Sequence, residues 1–177
     1  LALITLAVAP WALWHMRADR PLDVLVVDKT VAKPNYREHE GLFWFLRHEK
    51  VVQRETDRPL VLDRDYAGYQ HAADGEARIV PIPNRPTDFT YIADTYGVYE
   101  DDLLNRPLGI KSDLIHGGLS LDEVRTIRGN LRPGATLVAE FNCIASPTVG
   151  AARAELSEAL GVTWTGWIGR HFAFLDL

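Results

Sequence analysis

The chain opens on an uncharged run, Leu1 to Trp14 (LALITLAVAPWALW), and then alternates short apolar runs with amphipathic stretches. Leu22–Val27 (LDVLVV) is an apolar run ending at Asp28. It has the pattern of a parallel strand covered on both faces. Asn35 predicts a helix cap, with the helix running to about Lys50 and Leu42, Phe43, Phe45 and Leu46 as its apolar stripe. Val51–Val52 and Leu60–Leu62 are short strand candidates. Asp63 to Pro86 is polar and predicts a long loop with one strand at Ala77–Pro81. Phe89–Ala93 (FTYIA) predicts the next strand, ending at Asp94, and Asp101–Ile110 is irregular.

Ser120-Leu121-Asp122-Glu123 is a capping box that opens a helix to about Leu131, with Pro133-Gly134 as its stop. Ala135–Glu140 (ATLVAE) predicts a strand. Ser146-Pro147 predicts a further helix start, proline being tolerated at a first helical position, and that helix stops at Gly161. Val162–Ile168 and Phe172–Leu177 are the last strand candidates. Strand and helix alternate in the order that builds an α/β fold, a three-layer, doubly wound, mainly parallel sheet with right-handed crossovers. Such sheets bind ligands outside the carboxyl ends of their strands.

Those ends are polar. The first strand runs into Asp28-Lys29-Thr30, FTYIA into Asp94-Thr95-Tyr96-Gly97, ATLVA into Glu140-Phe141-Asn142, and the last strand candidate into Gly169-Arg170-His171. Parallel strands would bring these groups to one rim, where neighbouring carboxylates can divide acid and base roles. Asp94 and Glu140 are the general-base candidates, with Arg170 placed to stabilise developing negative charge. Asp28, Lys29, Thr95, Tyr96, Asn142 and Ser146 are the ligand-binding candidates. Asn142–Thr148 leads into a predicted helix N-terminus, which favours an anion. Cys143 sits on the same turn, but a nucleophile elbow relies on flanking glycines and its neighbours are Asn142 and Ile144. It has the character of a small buried residue.

Composition narrows the function. With 19 basic and 24 acidic side chains the net charge is −5, which opposes nucleic-acid binding. One cysteine excludes an intrachain disulfide, and the six histidines include no pair three or four apart, so no metal is called for. No motif calls for a cofactor. Residues 1–20 fit a membrane anchor or signal segment whose start lies upstream, with Trp11 and Trp14 at the interface, the alternative being an apolar N-terminal helix packed on the domain. The uncharged run alone is shorter than the ~20 residues a spanning helix needs. Residues 21–177 form the α/β domain, which is expected to continue past its last residue.

The stretches LDVLVVDKT, YIADTYGVY, GGLSLDE, GATLVAEFNCIASPT and TGWIGRHF resemble a group of bacterial membrane-anchored or exported proteins. The order of elements is similar to the class I glutamine-amidotransferase-like, flavodoxin-type fold. The resemblance implies a membrane-held domain outside the cytoplasm and carries no activity with it. Glutaminase chemistry is not expected, because Cys143 lacks its glycine frame and His171 is not followed by a glutamate two residues on. The function expected is binding of a small polar ligand, a sugar or an anionic metabolite. A hydrolase using Asp94 or Glu140 as base is one alternative. A docking domain with a protein partner in a membrane complex is the other.

Overall fold

Val24–Asp28 (β2) is buried at every position. A strand with no exposed face must be covered on both, and its side chains alternate between two cores. Leu25 and Val27 enter a cluster with Val124, Ile127, Ala152 and Leu156. Val24 and Val26 enter another with Phe43, Leu46 and Leu60. Helices therefore pack on both sides of the sheet that β2 centres.

The structure is a computed structural model that describes residues 2–71, 77–104 and 112–167. An N-terminal helix, Ala2–Met16 (α1), precedes a short strand, Arg20–Leu22 (β1). Strand β2 leads to helix Arg37–His48 (α2) and strand Val51–Gln53 (β3). Strands Ala67–His71 (β4), Ala77–Val80 (β5) and Thr87–Asp94 (β6) follow. A small excursion, Val98–Tyr99 (β7), Glu100–Leu104 (α3) and Leu114–His116 (β8), leads to helix Leu121–Asn130 (α4). Strand Leu131–Ala139 (β9) and helix Gly150–Leu160 (α5) complete the described part.

The main sheet has the order β5-β4-β2-β6-β9. Strands β4, β2, β6 and β9 are parallel, and β5 joins β4 antiparallel at the edge. β1 and β3 pair in parallel outside this sheet, and β7 and β8 form a two-stranded antiparallel pair. The chain passes from β2 to one side of it (β4) and then to the other (β6). The gap between the carboxyl ends of β2 and β6 is thus the point where the winding reverses.

The capping box at Ser120 forms as expected: its side chain accepts from Glu123 N while Glu123 accepts from Ser120 N. Gly161, in the left-handed region at φ 68°, ends α5. Other expectations are corrected. Asn35 does not cap α2; Tyr36 holds the cap position at φ 50°, and its carbonyl accepts from His39 and Glu40 N. The buried stripe of α2 is His39, Phe43 and Leu46, while Phe45 is exposed, because the face is set by the sheet beneath rather than by apolarity alone. Leu60–Leu62 is not a strand; Leu60 is a core residue of a loop whose one ladder contact is the Val52–Pro59 bridge. The predicted long loop hides β4, an interior strand of the main sheet.

Ser146-Pro147 lies in a turn, and α5 begins only at Gly150. β9 starts at Leu131, directly after α4, with Pro133-Gly134 in an irregular stretch where its register against β6 shifts. Residues 162–167 are not a strand: Val162 and Trp167 are exposed and Gly166 turns at φ 87°. Ile168, Arg170, Phe172–Leu177 and most of Asp101–Ile110 lie outside the described residues. Among the described residues, no helix is long and apolar enough to cross a membrane.

Candidate functional site

The parallel register fixes where the polar strand ends meet. Asp28 aligns with Asp94 across β2 and β6, and Glu140 follows β9, its amide donating to Ile92 O at 3.0 Å. The three carboxylates therefore share one rim of the sheet, but each is turned to a different partner.

Asp28 continues the side of β2 that carries Val24 and Val26, so it points at α2. There Oδ2 lies 2.5 Å from His39 Nδ1, and His39 Nε2 lies 3.1 Å from Leu62 O. Its other oxygen accepts from Thr30 N at 3.0 Å. Lys29 leaves on the opposite side. Its ammonium donates to Gly118 O at 2.5 Å and to both Glu123 oxygens at 2.9 Å. Burial pushes the Glu123 carboxyl up, but the Ser120 amide and the Lys29 ammonium together hold it below the ordinary glutamate value.

Asp94 accepts from Tyr96 N at 2.7 Å and from Asn142 Nδ2 at 3.1 Å. Glu140 accepts from the Tyr91 hydroxyl, and burial together with that bond raises the Tyr91 pKa. Thr95 is buried and meets the Thr148 hydroxyl at 3.2 Å, while Thr148 also accepts from Leu119 N. Ser146 is exposed at the turn before α5. Beside that helix start, Arg153 folds back to donate to Thr148 O. Cys143 is buried, and its thiol donates to Ile92 O at 3.3 Å. Burial and the Asp94 carboxylate push that thiol up to about 12, so it is not a thiolate at neutral pH.

Above the winding reversal lies an open cleft of about 550 Å³. Its walls are the loop after β2 (Thr30, Lys33, Asn35), the first turn of α2 (Arg37, Glu38), the loop after β6 (Tyr96, Gly97) and α3 (Asp101, Asp102). Gly97 N donates to Thr30 Oγ1 at 3.0 Å, which ties the two strand-end loops together across the gap. Gly97 is needed at this crossing, because a Cβ there would come within 2.7 Å of His116 O. Tyr96 is 52% exposed, with its ring 5.2 Å from that of Tyr99. Asp102 accepts from Tyr99 N at 2.9 Å and so holds the start of α3 against this pair.

Of the residues expected to bind ligand, Tyr96 lines this cleft. Asp28 and Asp94 brace the cleft's walls through Thr30 N, His39 and Tyr96 N, whereas Lys29 and Thr95 bond towards α4 and the turn before α5, and Asn142 bonds Asp94. Arg170 lies outside the described residues. Asn35, Arg37, Glu38 and the Asp101-Asp102 pair were not expected at the site. Their signal in the sequence is position: each lies in the segment directly following a strand end or opening the next helix. The lining carries both charge signs, two hydroxyls and one open aromatic face. Among the described residues no cluster of histidine, cysteine and carboxylate side chains suits a metal ion. The chain matches no protein-family model, no curated protein and no solved structure.

Proposed function

We propose that the chain is a membrane-held α/β domain that binds a small polar ligand in the cleft over the β2–β6 gap, without glutaminase activity. The observation that carries this reading is the cleft itself, at the winding reversal, where doubly wound sheets take their ligands. Of the two ligand classes expected, its lining favours a sugar over a simple anion. Asp101, Asp102 and Glu38 accept from hydroxyls, Arg37 and Lys33 donate, and the open Tyr96 ring offers an apolar face to a pyranose. Asp94 and Glu140 accept bonds from Tyr96, Asn142 and Tyr91, which supports binding over general-base hydrolysis. The buried Cys143 supports the absence of glutaminase chemistry. The parallel order β4-β2-β6-β9 supports the glutamine-amidotransferase-like, flavodoxin-type assignment of the fold. The apolar α1 supports attachment to a membrane, while placement of the domain outside the cytoplasm rests on the sequence resemblance alone.

A thermal-shift panel of neutral sugars, sugar acids and small carboxylates tests the ligand class. Stabilisation by a sugar that Tyr96→Ala abolishes is the expected result. Stabilisation by none of them, or by a sugar equally with Tyr96→Ala, overturns the reading.

A further inference from the structure

We propose that the end of α1 and the last two turns of α2 form an aromatic foot. It seats in the headgroup layer of a lipid bilayer, so that the cleft faces away from the membrane. This rests on the membrane attachment proposed above and not on what the cleft binds.

α1 is apolar around its whole circumference. Val8, Trp11, Leu13 and Met16 point in different directions from the helix axis, yet all are exposed. A helix on a water-facing surface hides its apolar side, and one that is apolar all round belongs in an apolar medium. Its end is fixed to the domain. Trp14 Nε1 donates to His48 O at 2.7 Å, Lys50 Nζ donates to the carbonyls of His15 and Arg17 at 3.1 and 2.7 Å, and Arg17 pairs with Glu49 at 2.9 Å. The domain then adds its own ring to this junction. Trp44, 68% exposed, stacks on His48, which in turn stacks on Trp14. Lys50 Nζ lies 5.0 Å from the Trp14 ring centre.

Exposed tryptophans beside cations suit the headgroup layer, where amphipathic rings and basic side chains are both favoured. Arg17, Arg20, Arg47 and Lys50 around the junction are set against Asp19, Glu49 and Asp57, and Glu49 pairs with both Arg17 and Arg20. Glu40 also faces the groove beside Trp44, one turn nearer the start of α2. With four basic and four acidic side chains the junction carries no net charge, so its exposed rings, and not its charge, seat it at the headgroup layer.

The same geometry orients the domain. α2 starts at the cleft and runs back along the sheet, so its end and β3 lie at the amino edge of the strands. Its 12 residues span about 18 Å, which separates the foot from the cleft.

The test uses the full chain on phosphatidylcholine vesicles with and without phosphatidylglycerol. Flotation reports attachment. A cysteine-linked fluorophore at Trp44→Cys, or for comparison at Tyr96→Cys, is exposed to headgroup-nitroxide lipid; the native Cys143 is buried and does not label. The expected result is flotation, quenching at position 44 and none at position 96. Attachment should differ little between the two vesicle types, because the foot is charge-balanced. Native tryptophan quenching by brominated lipid in the unsubstituted chain gives a readout free of any folding defect. Flotation without quenching at 44, or with equal quenching at both sites, overturns the foot and leaves the attachment standing. Failure to float overturns both.

Discussion

Asp28 and His39 form a fully buried pair, with Oδ2 and Nδ1 2.5 Å apart and neither side chain open to solvent. Both ring nitrogens face acceptors, since Nε2 points at Leu62 O. One proton must therefore serve the carbonyl and another the contact with Asp28. The pair pins β2, α2 and the 60–62 loop to one another directly under the cleft. Removing either member alone leaves the other buried without its partner. Asp28→Ala and His39→Ala should each cost about 3 kcal/mol or more. The double variant should fall short of their sum by about 1–3 kcal/mol. Urea unfolding of the four proteins measures this, and additive losses would show that the contact carries no coupling.

Acid should loosen the amino edge of the sheet. Asp88 accepts from Asp23 N at 2.9 Å and from Arg54 and Arg132 at 2.7 and 3.0 Å. That amide bond first, and the two guanidiniums after it, hold its carboxyl down at about 2, below the ordinary aspartate value of 3.8. A carboxyl whose folded pKa is depressed stabilises the fold while ionised, and that contribution is lost as the group protonates. Stability should therefore fall as pH drops from about 4 towards about 2. Asp88→Asn should be less stable than the native chain at neutral pH, and the gap should close across that window. A gap that stays constant with pH would mean that the Asp88 charge is not what the arginines stabilise.

Gly68 stands opposite Asp28 in the β2–β4 pairing, at φ 140°. A Cβ there would lie 1.8 Å from Asp28 O. Gly68→Ala should destabilise by about 3 kcal/mol or more, since it adds backbone strain to a clash with another strand's backbone. An alanine variant within 1 kcal/mol of native in urea unfolding, as roughly expected of an ordinary surface change, would remove this constraint.

Cys143 should be chemically silent in the folded chain. Its thiol is enclosed, bonded to Ile92 O and shifted up to about 12. A thiol-exchange reagent at mildly alkaline pH should react only after urea is added. Prompt reaction of the native protein would restore the thiol as a nucleophile candidate.

The alternation of apolar and amphipathic stretches was enough to expect a layered, mainly parallel sheet, and the rim shared by Asp28, Asp94 and Glu140 follows from it. β4 escaped because AGYQH has neither alternation nor an apolar run. Its Gln70 is buried by bonding Arg64 and Tyr66 carbonyls, a compensation that only tertiary structure supplies. His39 escaped for the same reason: a histidine on the core face of α2 is unremarkable until Asp28 is found opposite it. The strand expected at 162–168 had the right residue types, but Gly166 and the exposed Trp167 mark a chain that has left the sheet. Sequence position was enough to gather these residues at one edge of the sheet, while the direction of each side chain decides which of them open into the cleft. Lys29 and Thr95 point inward, and Tyr96 points out.

Glu123 serves two masters. The carboxylate that closes the first turn of α4 through Ser120 N is also the counter-ion of Lys29, the residue that follows β2. Helix start and strand end are thereby keyed like tenon and mortise, so α4 cannot slide along the sheet without unseating its own first turn.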